Sequence, residues 1–168
     1  MEIRQWMSKN PVTIRPRETL ADAKREMDRG SFRRLPVLED GELVGIITDR
    51  DLRQHLGQFE HTRVDAVMAK QVIAATPHML LDQAAILMVK HKIGGLPIVE
   101  DGKLVGIITA IDMLRAFGQV LGTAEEGVSR IDLAFNGNSF DLAMIAQLIG
   151  LSSGELLSRT AYYSDNSA

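Results

Sequence analysis

Residues 35–51, LPVLEDGELVGIITDRD, return at 96–112 as LPIVEDGKLVGIITAID, displaced by 61 residues without a gap. Twelve of the 17 positions are identical. The register also extends outside the window: Met7 and Lys9 reappear as Met68 and Lys70, Pro16 as Pro77, Leu20 as Leu81, Ala23 as Ala84 and Met27 as Met88. A constant offset over about fifty residues means two copies of one folding unit, each too small to bury much alone. Fold and function therefore belong to the pair.

Each copy reads in the same order. A short extended piece, PVTI at 11–14 or VIAA at 72–75, precedes a punctuating proline, Pro16 or Pro77. A helix follows. In the first copy Thr19 and Asp22 make a Thr-x-x-acid start, and Leu20, Ala23 and Met27 share one face. In the second, Leu81, Ala84, Ala85, Met88 and Val89 form a broader stripe. Asp40-Gly41 and Asp101-Gly102, each between apolar runs, predict two-residue hairpin turns, because both residue types tolerate positive φ. A closing helix is expected at about 49–57 and again at 110–118, so each copy is β-α-β-β-α. Residues 58–66 read as a polar link between copies, and GTAEEG at 122–127 as a second. Beyond it, Ile131, Leu133 and Phe135 alternate as a strand. Leu142, Ile145, Ala146 and Ile149 then follow helical spacing, and ELLSRTAYY reads as a last strand.

Composition narrows the function classes. The 168 residues are 45% hydrophobic and 24% charged, ordinary for a soluble globular protein of one to two domains. A net charge of −3 offers no global field for nucleic acid or an anionic membrane, so any anion site must be local. With no cysteine, disulfides, thiolate catalysis and Cys-based zinc sites drop out, which suits a cytoplasmic location. The N-terminus MEIRQWMSKNP has no apolar signal core, and no apolar run approaches the roughly 20 residues that span a bilayer. His55, His61, His78 and His91 lack ligand spacing, so no metal is expected. No nucleophile–base pair or P-loop is present, and an enzyme is the least favoured class. Trp6 is expected to be a core or interface anchor, and Lys90-His91-Lys92 a cationic helix end.

The chemistry-bearing positions close each repeat. Gly-Ile-Ile-Thr-x-x-Asp ends at Thr48 and Asp51, then at Thr109 and Asp112. A buried strand thus delivers a hydroxyl to the mouth of a helix whose first turn holds the carboxylate. Two readings stand: a helix cap, or a ligand site. Duplication copies either one. Arg33-Arg34 is likewise a solvated pair at a strand entry or a set of guanidinium forks for phosphate.

These residues resemble tandem cystathionine-β-synthase-type (CBS) repeats, the pair that forms a Bateman module. The marks are the leading Met-x-x-x-x-Val/Ile, the Leu-Pro-Val/Ile hairpin entry and the Gly-h-h-Thr-x-x-Asp close, over residues 1–118. The resemblance implies an α+β protein: two β-α-β-β-α repeats, 1–60 and 61–120, packed about a pseudo-twofold with two clefts for adenosine nucleotides. It implies that AMP, ADP, ATP or S-adenosylmethionine, with or without Mg2+, is a regulatory ligand and that no cofactor is required. The Asp would accept from the ribose hydroxyls, a carboxylate suiting a vicinal diol, and the Thr would face the phosphates. One cleft would carry Arg33, Arg34, Thr48, Arg50 and Asp51, closed by Val72, Ile73 and Ile93. The other would carry Gly94, Gly95, Thr109 and Asp112 beside Val12, Thr13 and Phe32, with no cation at matching positions. Residues 128–164 resemble the first β-α-β half of an ACT domain, an order similar to the CBS–CBS–ACT accessory type of acetoin utilisation. The expected protein is a non-catalytic nucleotide sensor, homodimeric through the closing helices and signalling to a client protein. The alternatives are a structural dimerisation module with vestigial clefts, or an accessory protein of acetoin-type catabolism.

Overall fold

The computed structural model describes residues 1–120. In chain order they form β1 (Ser8–Lys9), α1 (Leu20–Gly30), β2 (Arg34–Glu39), β3 (Glu42–Thr48) and α2 (Asp49–Arg53), followed by α3 (Leu81–His91), β4 (Gly95–Glu100), β5 (Lys103–Thr109) and α4 (Ala110–Val120). The expected β-α-β tail at 128–164 lies outside the described residues. Two compact units divide the chain, Met1–Met113 and Leu114–Ala168, and the first contains both repeats up to the start of α4.

Both hairpins form where the sequence places them. Asp40 and Gly41 hold φ of 50° and 88°, and Asp101 and Gly102 hold 49° and 77°. Paired left-handed residues match the twist of the flanking strands. A bulge interrupts the register between Val37 and Leu38, and again between Ile98 and Val99. Helix α1 begins as its sequence predicts. The Thr19 hydroxyl accepts from the Asp22 amide, and the Asp22 carboxylate accepts from the Thr19 amide. Those Thr19 bonds, with Arg25 adding a smaller effect, hold the Asp22 carboxyl below its ordinary value.

Three local expectations change. The extended pieces at 11–14 and 72–75 contract to single parallel bridges, Ile14 with Val37 and Ala75 with Ile98. Within these pieces Ile14 and Ala75 bond the sheet through both backbone groups, each amide donating to a β-strand carbonyl and each carbonyl accepting in return. The helix expected at 49–57 stops at Arg53, because the chain turns through 54–57 and Gly57 adopts φ of 86°. The polar link at 58–66 contributes to the core: Val64 is fully buried in the first hydrophobic cluster and Phe59 packs against it.

The first core joins Ile14, Leu20, Ala23, Met27, Leu35, Val37, Ile47, Leu52 and Val64. The residues 61 positions on from most of these, including Ala75, Leu81, Ala84, Met88, Leu96, Ile98 and Ile108, are buried too. What ties the repeats together is an exchange of their leading segments. Ile3 N–H donates to Met79 O at 2.9 Å, Arg4 N–H to Pro77 O at 3.0 Å, and Leu81 N–H to Met1 O at 3.0 Å. Shifted by 61, the same three bonds recur as Val64 to Glu18 at 2.8 Å, Asp65 to Pro16 at 2.9 Å and Leu20 to Thr62 at 2.9 Å. Strand β1 adds to the edge of β5, with Ser8 opposite Ile107, while Ala69 bridges Ile46 of β3. Each leader therefore completes the sheet of the other repeat, and that reciprocity defines a pseudo-twofold axis. It also explains the repeated Met and Gly. A Cβ on Gly106 would lie 2.6 Å from Met7 Sδ, and one on Gly45 would overlap Met68 Sδ.

Candidate functional site

Position 34 pairs with Thr48 across the first hairpin, and position 95 with Thr109 across the second. The Asp49 amide donates to Arg33 O at 3.0 Å, and the Ala110 amide to Gly94 O at 3.1 Å. Each strand entry is thus pinned to the start of the helix that closes its repeat. In that helix start, Asp51 Oδ2 accepts from the Thr48 amide at 2.8 Å and from its hydroxyl at 2.6 Å. Asp112 Oδ2 accepts from the Thr109 amide at 2.8 Å and hydroxyl at 2.7 Å. Both carboxylates cap their helices through Oδ2. Thr48, Asp51 and Thr109 are half-buried, and Asp112 is buried at 8% exposure.

Arg34 does not stay within its own repeat. A Cβ on Gly95 would overlap Arg34 Nη1, and one on Gly94 would lie 2.9 Å from Nη2. The guanidinium therefore rests on the Gly94-Gly95 backbone of the second repeat. The pair of glycines opposite the pair of arginines is a berth for Arg34, a relation the sequence did not reveal. Arg34 Nη1 is buried without a hydrogen-bond partner among the described residues. Burial pulls the guanidinium below its ordinary value; Asp49 opposes that shift and Arg33 adds to it. A buried N–H without an acceptor costs about 1–3 kcal/mol, and an anion is the acceptor it favours most.

The remaining candidates spread around this centre. Arg33 and Arg50 are exposed, Val72, Ile73 and Ile93 half-buried, Val12 exposed and Thr13 half-buried. Phe32 and Arg33 line a groove of about 320 Å³ with Met27, Asp49, Leu52 and Phe59 on the first repeat. Thr13 lines a wider one, about 870 Å³, with Arg15, Arg17, Leu38 and Asp40. The capping Thr and Asp residues line neither groove. Among the described residues no cluster of three His, Cys, Asp or Glu could hold a metal ion, and no helix is long and apolar enough to cross a membrane.

Two hairpin–helix units that trade their leaders, each ending in a Thr-x-x-Asp cap beside a shared axis, define a tandem-repeat module. The CBS domain family model matches residues 3–58 and 64–119, and the chain belongs to that family. It is 36% identical over 130 residues to the uncharacterized protein MJ1225 of Methanocaldococcus jannaschii, covering 68% of this chain but 46% of that relative, so it spans about half the length of that protein. The CBS domain pair of protein MJ0100, solved in complex with 5-methylthioadenosine and S-adenosyl-L-methionine, superposes with a TM-score of 0.66 at 32% identity, covering 71% of this chain and 97% of that one. A Vibrio cholerae protein described as an acetoin utilization protein, AcuB, gives a TM-score of 0.67 at 33% identity, over 77% of this chain and 98% of that one.

Proposed function

We propose that the chain is a non-catalytic regulatory module that binds an adenine nucleotide or S-adenosylmethionine between its CBS repeats and passes that occupancy to a client protein. The observation that carries this reading is the arrangement at the axis. A buried guanidinium N–H without a partner among the described residues lies where the strand entry of the first repeat meets that of the second. Each entry is pinned to a Thr-x-x-Asp helix start whose carboxylate is of the kind a ribose diol engages. The adenosine ligands of the MJ0100 pair support the ligand class. In this reading Arg33, Arg34, Thr48, Arg50 and Asp51 hold one ligand against Val72, Ile73 and Ile93. Gly94, Gly95, Thr109 and Asp112 hold the other beside Val12, Thr13 and Phe32. Likeness to AcuB favours a client in acetoin-type catabolism. Thermal unfolding in the presence of AMP, ADP, ATP and S-adenosylmethionine, with and without Mg2+, tests the proposal. A true ligand at 100 times its Kd should stabilise by about 2.7 kcal/mol. No shift with any of them would leave the module as a dimerisation unit whose Asp residues serve only as caps.

The module is proposed to act as a homodimer through its closing helices. Ile111, Leu114 and Phe117, spaced by three on α4, are 61%, 71% and 65% exposed, and Leu56 beyond the end of α2 is 72% exposed. Apolar rows of this kind on a charged protein mark contact surfaces. Changing Leu56 and Phe117 together to Glu should give a folded monomer by light scattering. A dimer that persists would place the interface elsewhere.

A further inference from the structure

Two residues at equivalent positions of a pseudo-twofold pair can touch only if both lie near the axis. Positions 34 and 95 are such a pair, since Arg34 is the residue 61 before Gly95 and its guanidinium lies on Gly95 and Gly94. Both strand entries therefore lie at the axis. Arg34 is anchored opposite Thr48 in the first hairpin, yet its guanidinium ends at the residue opposite Thr109 in the second. One cation thus extends from the strand entry of the first repeat onto that of the second. Only the absence of side chains at 94 and 95 allows this, because any Cβ at 95 would overlap Nη1. Arg33 and Arg50 serve the first site alone in the proposed function, whereas Arg34 is the guanidinium that lies on the second repeat's glycines.

We infer that Arg34 is a single phosphate-binding group shared by the two nucleotide sites, so that phosphate-bearing ligands at the two sites antagonise each other. The inference rests on the proposed function and adds a regulatory property to it. A guanidinium turned toward a phosphate beside Thr48 leaves the glycine berth, and one held at the berth beside a second phosphate is lost to the first. The antagonism is reciprocal by linkage. It depends on phosphates, since adenosine presents no anion for Arg34 to leave or join. The module would therefore report a graded response to AMP, ADP and ATP, with the second occupancy postponed to higher concentration.

Calorimetry with ADP and with adenosine decides this. With the first site disabled by Asp51→Ala, the second site should bind ADP about tenfold or more tighter than the second ADP step of the parent protein, a coupling of ordinary size for linked sites. Adenosine should show no such gain. If the parent takes up only one ADP, the variant should still bind one at the second site. Equal second-site ADP affinity in both proteins, or no ADP at that site in the variant, would overturn the shared-cation inference while leaving nucleotide binding intact. Absence of ADP and adenosine binding in the parent would overturn both. Arg34→Ala, which leaves both caps in place, gives an independent reading: the spacing between the two ADP constants should narrow, and unchanged spacing would refute sharing.

Discussion

Deleting residues 1–9 should leave the first repeat folded and melt the second. Ile3 is fully buried, and the segment supplies three backbone hydrogen bonds to residues 77–81 as well as the third strand of the β4–β5 sheet. Loss of one buried aliphatic side chain of this size costs about 2–5 kcal/mol, and each backbone bond about 0.5–1.5 kcal/mol. Against a domain stability of about 5–15 kcal/mol, that sum is enough to open the unit locally. The surface pairs of Arg4 with Glu2 and Glu100 add little. Hydrogen exchange should show amides of β4 and β5 losing protection while those of β2 and β3 keep it. Equal protection of both hairpins in the truncated protein would contradict the exchange of leaders.

Asp51→Ala should lower nucleotide affinity at the first site by roughly a hundredfold or more, since two charge-assisted bonds to a diol are worth about 1.5–3 kcal/mol each. Its structural cost is smaller. The cap bonds from the Thr48 amide and hydroxyl are lost, and cap substitutions cost about 0.5–2 kcal/mol. Asp51→Asn separates the two roles, because its side-chain oxygen still accepts from the Thr48 amide while the charge is gone. It should unfold near the parent midpoint and bind nucleotide poorly. Unchanged affinity in both variants would make Asp51 a cap and nothing more.

Much of this architecture is local, and local chemistry is legible. The Asp-Gly turns adopt the positive φ values their composition demands, and the Thr19 and Asp22 side chains form the reciprocal start that their spacing encodes. The helix-start pattern of Thr48 and Asp51 is legible as well, though its spacing alone does not separate a cap from a ligand site; the cap bonds are present in both repeats. Legibility fails where side chains act across the axis. Nothing local in Gly94-Gly95 says that an arginine from the other repeat lies on it. The end of α2 is not legible, because Leu52 and Leu56 keep helical spacing although the chain turns after Arg53. The crossing of the leaders left one clue: Met7 and Met68 recur at the same offset as the two glycines they cover.

The crossed leaders also set an order of events during synthesis. Ala69 meets Ile46 across 23 residues of chain, whereas Ser8 must wait for Ile107, 99 residues later. Closing the longer loop costs roughly 1 kcal/mol more in chain entropy. At about 5–20 residues per second, the ribosome needs on the order of 5–20 s to deliver that partner. The first core closes once Val64 has emerged, while Ile3 and Arg4 wait for residues 77–79 and β1 waits until nearly all of the second repeat has been made. A nascent chain halted before β5 therefore carries β1 without its partner strand, a feature by which quality control could tell it from the folded module.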